Sequence, residues 1–281
     1  MKKILVTGSS GYIGTHLCAY LAANGYEVTG VDRIVGGTGC HEFIHQDILD
    51  TNQIEGEYDT VVHLAALVQV GMSHLCPMEY YRTNVIGTMN VLERLNYNNF
   101  ILASTCQVDE PHVYGTSKRM AETIVRNYCS LNDKSHTVFR FGNVVGSAGY
   151  LPTNMDGLMY NLIKAKETGV FKLYGDNYYT RDGSAERDYI HVSDICHAID
   201  KAIQMPAFVV GSEFRSFFEY LGHGQLYSVK ECIAAFKEVN NCDFEVEIHP
   251  RREGDPAKVD LKPVSPYMPV RPYNLKAMMK V

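Results

Sequence analysis

Ser104 and Thr105 close an apolar run, and Tyr114 and Lys118 follow as Tyr-x-x-x-Lys, with ten positions between Ser104 and Tyr114. Four apart on a helix, the phenol and the ammonium share a face. An ammonium beside a phenol favours the phenolate and lowers a pKa that is otherwise about 10. Such a phenol can take a proton from a hydroxyl while hydride leaves the same carbon. A Ser or Thr at a strand end can hold that hydroxyl in line. Tyr114, Lys118 and Thr105 are therefore the catalytic candidates, with Ser104 beside them. A Tyr-x-x-x-Lys spacing also arises by chance on helix surfaces, so it counts only in the right company.

That company begins at "VTGSSGYIGTHL", where Gly8, Gly11 and Gly14 follow a β-branched run and open a helical one. Glycines at this spacing let the backbone turn tightly and let a pyrophosphate approach. The helix N-terminus then offers unpaired N–H groups to the anion. Asp32 lies 24 positions after Gly8, at the end of "EVTGVD". A carboxylate there accepts from an adenosine ribose and repels a 2′-phosphate, which favours NAD over NADP, although Arg33 keeps NADP open. Asp47 and Ile48, at the end of a third strand, are placed to contact the adenine; a solvated turn is the competing reading of Asp47.

The elements that must hold these residues alternate. "KILVTG", "EVTGVD", "TVVHLAA", "FILAST" and "HTVFRFGNVV" read as strands. "GTHLCAYLAANG", "PMEYYRTNVIGTMNVLERLN" and "SKRMAETIVRNYCSLN" read as helices. Strands apolar on both faces and joined by helices imply an α/β fold with a buried, doubly wound parallel sheet. Past about residue 146 the pattern becomes irregular, and "RDYIHVSDICHAIDKAIQM" looks like a return. The expected division is a dinucleotide-binding domain over 1–146 with a return over about 186–212. A second, smaller α/β domain then comprises 147–185 and 213–281.

Composition excludes some classes of function. With 281 residues the chain can bury a large core, and a net charge of −6 argues against a nucleic-acid-backbone binder. Eight cysteines without a C-x-x-C pair offer no zinc spacing and read as reduced thiols. The apolar run after Met1 stops at Val6, too short for a signal peptide, and no stretch approaches the roughly 18 apolar residues of a membrane span. A cytoplasmic protein without a metal is expected.

The motifs together resemble the extended short-chain dehydrogenase/reductases, and within them the UDP-glucose 4-epimerase family. The resemblance is carried by "TGSSGYIG", "VDR", "HLAA", "NVIGTMNVLE", "YGTSK", "YGDNYYTRDGSAERDYIHVSDI" and "HPRREGDPAKV", from Met1 to about Asp260. It implies an NAD-binding Rossmann domain and a nucleotide-sugar domain. It also implies inversion at carbon 4 of a UDP-hexose through a 4-keto sugar that turns over and takes its hydrogen back. By that resemblance Tyr114 is the base, Lys118 also holds the nicotinamide ribose, and Thr105 is the Ser/Thr partner. Tyr12 and Ile13 lie under the pyrophosphate, while Leu64, Ala65, Ala66 and Thr83 line the cofactor groove. Asn143 approaches the sugar or its diphosphate, Arg187 and Arg252 clamp the diphosphate, Asp255 accepts from the uridine ribose, and Tyr174 stacks near the uracil. Pro77–Leu95 and Gly115–Leu131 resemble the helix pair through which such proteins form homodimers.

The chain departs from the family in four places. The link from Val108 to Tyr114 is short, which implies a more open cleft. Val68 stands where many epimerases have a lysine. Val259, four after Asp255, is small and leaves room for an N-acetyl group, which implies turnover of UDP-GlcNAc and UDP-GalNAc as well as UDP-glucose and UDP-galactose. The tail "VSPYMPVRPYNLKAMMKV" is abbreviated. A 4,6-dehydratase places Asp-Glu directly after the strand-end Thr, where this chain has Cys106 and Gln107; Asp109 and Glu110 come too late. A decarboxylase wants an acid in the same place. A reductase exchanges its cofactor freely, and a non-catalytic NAD sensor has no need of both Tyr114 and Lys118.

Overall fold

Runs that are apolar on both faces become the inner strands of one sheet. β1 (Lys3–Thr7), β2 (Glu27–Asp32), β3 (Glu42–His45), β4 (Glu57–His63), β5 (Asn96–Thr105) and β6 (Ser135–Phe141) all pair in parallel. The protein is described by a computed structural model covering residues 1–36, 38–50, 54–147, 149–151, 155, 157–205, 218–252, 255–262, 265–269 and 272–281. Two units are defined: residues 1–141 with 196–219, and residues 142–195 with 220–281.

In the sheet the order runs from the strand Phe218–Leu221 through β6, β5, β4, β1 and β2 to β3. The chain thus winds outward from β1 to β3, then returns to the other side of β1 with β4. The crevice beyond the carboxyl ends of β1 and β4, where the winding reverses, is where such sheets bind ligands. Leu5, Val61, Phe100, Leu102 and Val138 are fully or almost fully buried along these strands. "TVVHLAA" ends its strand character at His63, so Leu64–Ala66 are left as loop at this crevice.

Helices α1 (Tyr12–Ala23), α2 (Val70–Leu75), α3 (Pro77–Tyr81), α4 (Gly87–Arg94) and α5 (Val113–Leu131) belong to the same unit. The run expected as one helix from Pro77 is interrupted by a π-helical turn, Arg82–Ile86. Its reason is local. Asn84 points inward, accepts from Leu67 N at 2.8 Å and donates to Leu67 O at 3.0 Å, which clasps the loop after β4. π-turns inside α-helices commonly mark such functional insertions.

The reading of "HTVFRFGNVV" as one strand is corrected at Gly142. Its N–H donates to Leu221 O at 2.8 Å, and a Cβ there would lie 2.8 Å from the Asp188 carbonyl oxygen. β6 ends before it, and β7 (Asn143–Val145) pairs instead with β9 (Glu186–His191) in the second unit. That unit adds α6 (Leu158–Thr168), β8 (Val170–Tyr174), α7 (Val192–Gln204), β10 (Phe218–Leu221), β11 (Leu226–Ser228), α8 (Val229–Val239), β12 (Glu245–His249) and α9 (Leu275–Met278), of which α7 and β10 cross between the units. Its sheets are β11-β9-β7 and β12-β8. α8 begins in a capping box between Ser228 and Glu231, and its Phe236 joins Phe171, Leu173 and Tyr189 in the core beneath it.

The abbreviated tail has a structural role in this unit. Met278 and Met279 are fully buried, and Tyr273 stacks on His191 with ring centroids 3.9 Å apart. Among the described residues no helix is long and apolar enough to cross a membrane.

Candidate active site

The phosphate loop has the shape its glycines imply. Gly8 takes φ +73°, and a Cβ on it would lie 2.7 Å from Ala65 N, so β1 and the loop after β4 meet only because that side chain is missing. At Gly14 a Cβ would lie 2.0 Å from the Gly8 carbonyl oxygen, which lets α1 start tight against the loop. Gly11 is the N-cap of α1 and makes no side-chain cap bond, so Tyr12 and Ile13 open the helix at the end where an anion is favoured. Gly8→Ala should strain the loop by about 1–3 kcal/mol. The NAD recovered on denaturing the purified variant should fall well below the wild-type content.

Asp32 ends β2 and accepts from Ser10 N at 3.0 Å and Ile34 N at 2.9 Å, so the acid expected at the ribose also fixes the turn around it. Arg33 lies 4.0 Å from Asp47, both side chains largely in water, a spacing worth little. Asp47 closes its own turn onto Leu49 N, and the Ile48 side chain is core, against Gly87. Leu64, Ala65 and Ala66 are half-buried beside Gly8, and Thr83 lies in the π-turn.

Tyr114 and Lys118 share the buried face of α5, at 8% and 4% exposure. Burial of an ammonium lowers its pKa, and Lys118 falls to about 8 even though Glu122, one turn on, pulls the other way. Among the described residues no hydrogen-bond acceptor holds its ammonium, so the site has room for hydroxyls such as those of a nicotinamide ribose. Burial dominates and raises Tyr114, and the contribution that lowers it is a hydrogen bond from the Thr105 hydroxyl. Val68 is 45% exposed and places no charge nearby.

Three residues around this pair were not singled out in the sequence. Glu122 is almost fully buried and accepts from Arg140 through Nε at 2.9 Å and Nη2 at 2.6 Å, and from the Ser104 hydroxyl. Ser104 is thus bound to Glu122. Removing the carboxylate as Glu122→Ala breaks a two-bond ion pair with a guanidinium that is itself 12% exposed, and should cost about 3–5 kcal/mol in urea denaturation. His63 lies under Lys118, is pushed down to about 3 by burial and by that ammonium, and is neutral. Thr88 gives its only hydroxyl proton to Asn84 O at 2.7 Å, so it accepts from His63 Nε2 at 3.0 Å. Nδ1 then accepts from Thr7 at 2.7 Å, which assigns the tautomer. Asn84 also donates to Ser117 Oγ at 3.0 Å, whose proton goes to the Tyr114 carbonyl at 2.7 Å. The i,i+4 spacing of Lys118 and Glu122 was a readable signal; the inward turn of Asn84 had none.

In the second unit the expected substrate residues form a cluster of their own. Arg187 is buried and donates to Asp255 Oδ1 at 2.6 Å and to Glu186 O at 2.8 Å. Arg252 lies over the Tyr174 ring, 4.1 Å from guanidinium carbon to centroid. Glu186 binds Arg181 and Lys258, and its carbonyl accepts from Val259 N at 3.3 Å, which ties the Asp255–Val259 stretch to β9. Tyr178 is buried beside Asp255, Arg187, Arg251 and Arg252, and its hydroxyl has no partner among the described residues. Asn143 is exposed at the start of β7.

A doubly wound sheet with a glycine cradle at its switch point, an acid ending β2 and a buried Tyr-x-x-x-Lys pair defines a dinucleotide-dependent enzyme acting on a hydroxyl or carbonyl group. Residues 4–214 match the NAD dependent epimerase/dehydratase family, and the chain belongs to it. Its cofactor is NAD, and the glycine cradle, in which a Cβ on Gly8 or Gly14 would meet backbone, and the buried Lys118 fit that group. UDP-glucose 4-epimerase of Erwinia amylovora is 32% identical, over 90% of this chain and 87% of that protein. A crystal structure of UDP-glucose-4-epimerase from Stenotrophomonas maltophila, with bound NAD and formylated UDP-arabinopyranose, is 28% identical with TM-score 0.83, over 99% of this chain and 96% of that one. The UDP-Glc/GlcNAc 4-epimerase of Campylobacter jejuni is 27% identical with TM-score 0.76, over 100% and 97%.

Proposed function

We propose that the protein is a UDP-sugar 4-epimerase that interconverts UDP-glucose and UDP-galactose and also accepts their N-acetyl forms. The observation that carries this reading is the buried Tyr114–Lys118 pair with the Thr105 hydroxyl on the phenol, in a chain similar over most of its length to UDP-sugar 4-epimerases. When bound, NAD supplies reversible acceptance of a hydride from carbon 4. Tyr114 takes the proton of the 4-hydroxyl and later returns it, and Thr105 holds that oxygen in line. Lys118, charged below about pH 8, stabilises the phenolate and holds ribose hydroxyls. Arg252 and Arg187 hold the diphosphate, Asp255 the uridine ribose and Tyr174 the uracil, while the 4-keto sugar turns over between them.

A dehydratase is disfavoured on a specific ground. Asp109 and Glu110 are exposed in the loop after Thr105, away from the strand end where elimination needs an acid. Acceptance of N-acetyl sugars rests on Val259, half-buried where a larger ring would crowd the sugar. Product identification with UDP-glucose, UDP-galactose, UDP-GlcNAc, UDP-GalNAc and a UDP-pentose should show the first four interconverting in pairs. Turnover of UDP-glucose alone removes the N-acetyl part; a 4-keto-6-deoxy product overturns the epimerase reading. A homodimer through α3, α4 and α5, which expose Met78, Met89 and Met120, is checked by light scattering.

A further inference from the structure

The short link between Thr105 and Tyr114 has an architecture of its own. Cys106 N donates to Phe141 O at 3.0 Å, Gln107 N to the Thr105 hydroxyl oxygen at 3.2 Å, and Glu110 N to Gln107 O at 3.1 Å. This folded stretch delivers His112 to the N-cap of α5, where Nδ1 accepts the Gly115 N–H at 2.9 Å. The same imidazole stacks on the Tyr114 ring, centroids 6.0 Å apart and planes 9° from parallel. Tyr80 meets Tyr114 edge-on at 6.5 Å and 79°. Gly115 makes the packing possible, because a Cβ there would lie 2.3 Å from Gln107 O and 3.1 Å from His112 Cε1. The usual N-caps, Ser, Thr, Asp and Asn, bond the helix but bring no ring.

We propose that His112 is a positioning residue for Tyr114, its neutral imidazole fixing both the start of α5 and the plane of the phenol. This rests on the reading of Tyr114 as the proton-transferring group.

The bond to Gly115 needs a bare Nδ1, so only neutral His112 can make it. The groups facing the ring are Glu110 from the loop, His74 from α2 and the Tyr114 phenol on α5. Burial, the largest influence, and His74 oppose protonation, Glu110 and the residue's own backbone favour it, and the balance holds the imidazole below its ordinary value near 6.5. The cap is therefore complete at neutral pH and lost as pH falls through that lowered value, which gives turnover an acid limb belonging to His112.

The test measures kcat, KM and NAD content from about pH 5 to 8 for wild type, His112→Asn, His112→Phe and Tyr114→Phe. Asparagine keeps a capping oxygen but has neither ring nor proton to gain. His112→Asn should bind NAD as wild type does, lower kcat roughly tenfold with KM little changed, and flatten the acid limb. His112→Phe, which keeps a ring but leaves Gly115 N–H without an acceptor, should lower both kcat and the thermal midpoint. A His112→Asn enzyme with wild-type kcat, or with the acid limb unchanged, overturns the inference while an inactive Tyr114→Phe leaves the base assignment standing. An active Tyr114→Phe overturns that assignment and the inference with it.

Discussion

Tyr114→Phe should lower kcat by about a thousandfold, the scale on which a positioned proton-transfer group acts, and leave UDP binding close to wild type. The phenol sits in the dinucleotide-binding unit, on the buried face of α5, whereas the groups assigned to the nucleotide, Arg187, Arg252, Asp255 and Tyr174, form a separate cluster in the second unit. Removing one oxygen from the first group takes nothing from the second. The ring also keeps its stacking on His112 and its edge contact with Tyr80. Stability should change by no more than about 1 kcal/mol, the net worth of a hydrogen bond such as that with Thr105. Product identification and UDP titration calorimetry check the two halves separately.

Lys118→Met should abolish turnover and stabilise the protein. The ammonium lies in the interior, and burial brings its pKa from 10.5 down to about 8. At neutral pH that difference costs the folded state about 3 kcal/mol, at 1.36 kcal/mol for each pKa unit. Methionine fills the same space with no charge to desolvate. Between about pH 8 and 10.5 the unfolded chain holds the Lys118 proton and the folded one does not, so wild-type stability rises with pH across that window. The variant lacks that rise. Urea denaturation of both proteins, stripped of nucleotide, should show the variant stronger at pH 7 and the two converging above pH 10. A variant weaker than wild type at pH 7 would mean that Lys118 bonds the interior more strongly than its surroundings indicate.

The parts of this site legible in the sequence obey local rules. Gly8, Gly11 and Gly14 are spaced for a turn and a helix start, Asp32 follows a strand, and Tyr114 and Lys118 share a helical face whatever lies around them. What could not be read depends on register or on an interrupted period. Arg140 reaches Glu122 because Ser104 and Arg140 are paired across β5 and β6, a match made by the sheet and not by the 18-position spacing of the charges. Asn84 faces Leu67 through a turn wider than an α-helix, so a 3.6-residue period does not foresee it. Histidine is a rare helix cap, which hid His112. Helical spacing likewise shows that Tyr114 and Lys118 are neighbours but not how deeply both are buried.

Asp200, on the carboxyl half of α7, receives the hydroxyl protons of Tyr26 at 2.6 Å and Tyr20 at 3.2 Å, and nearby the Lys2 ammonium bonds Ile203 O at 2.9 Å. A ribosome building this chain must therefore make residues 142–195 before it supplies the piece that completes the first unit. Until then Tyr20 on α1 and Tyr26, just before β2, are two phenols that lack this acceptor. Nascent chains halted short of Cys196 should be open to proteases around Tyr20 and Tyr26, and those released past Gln204 should resist them.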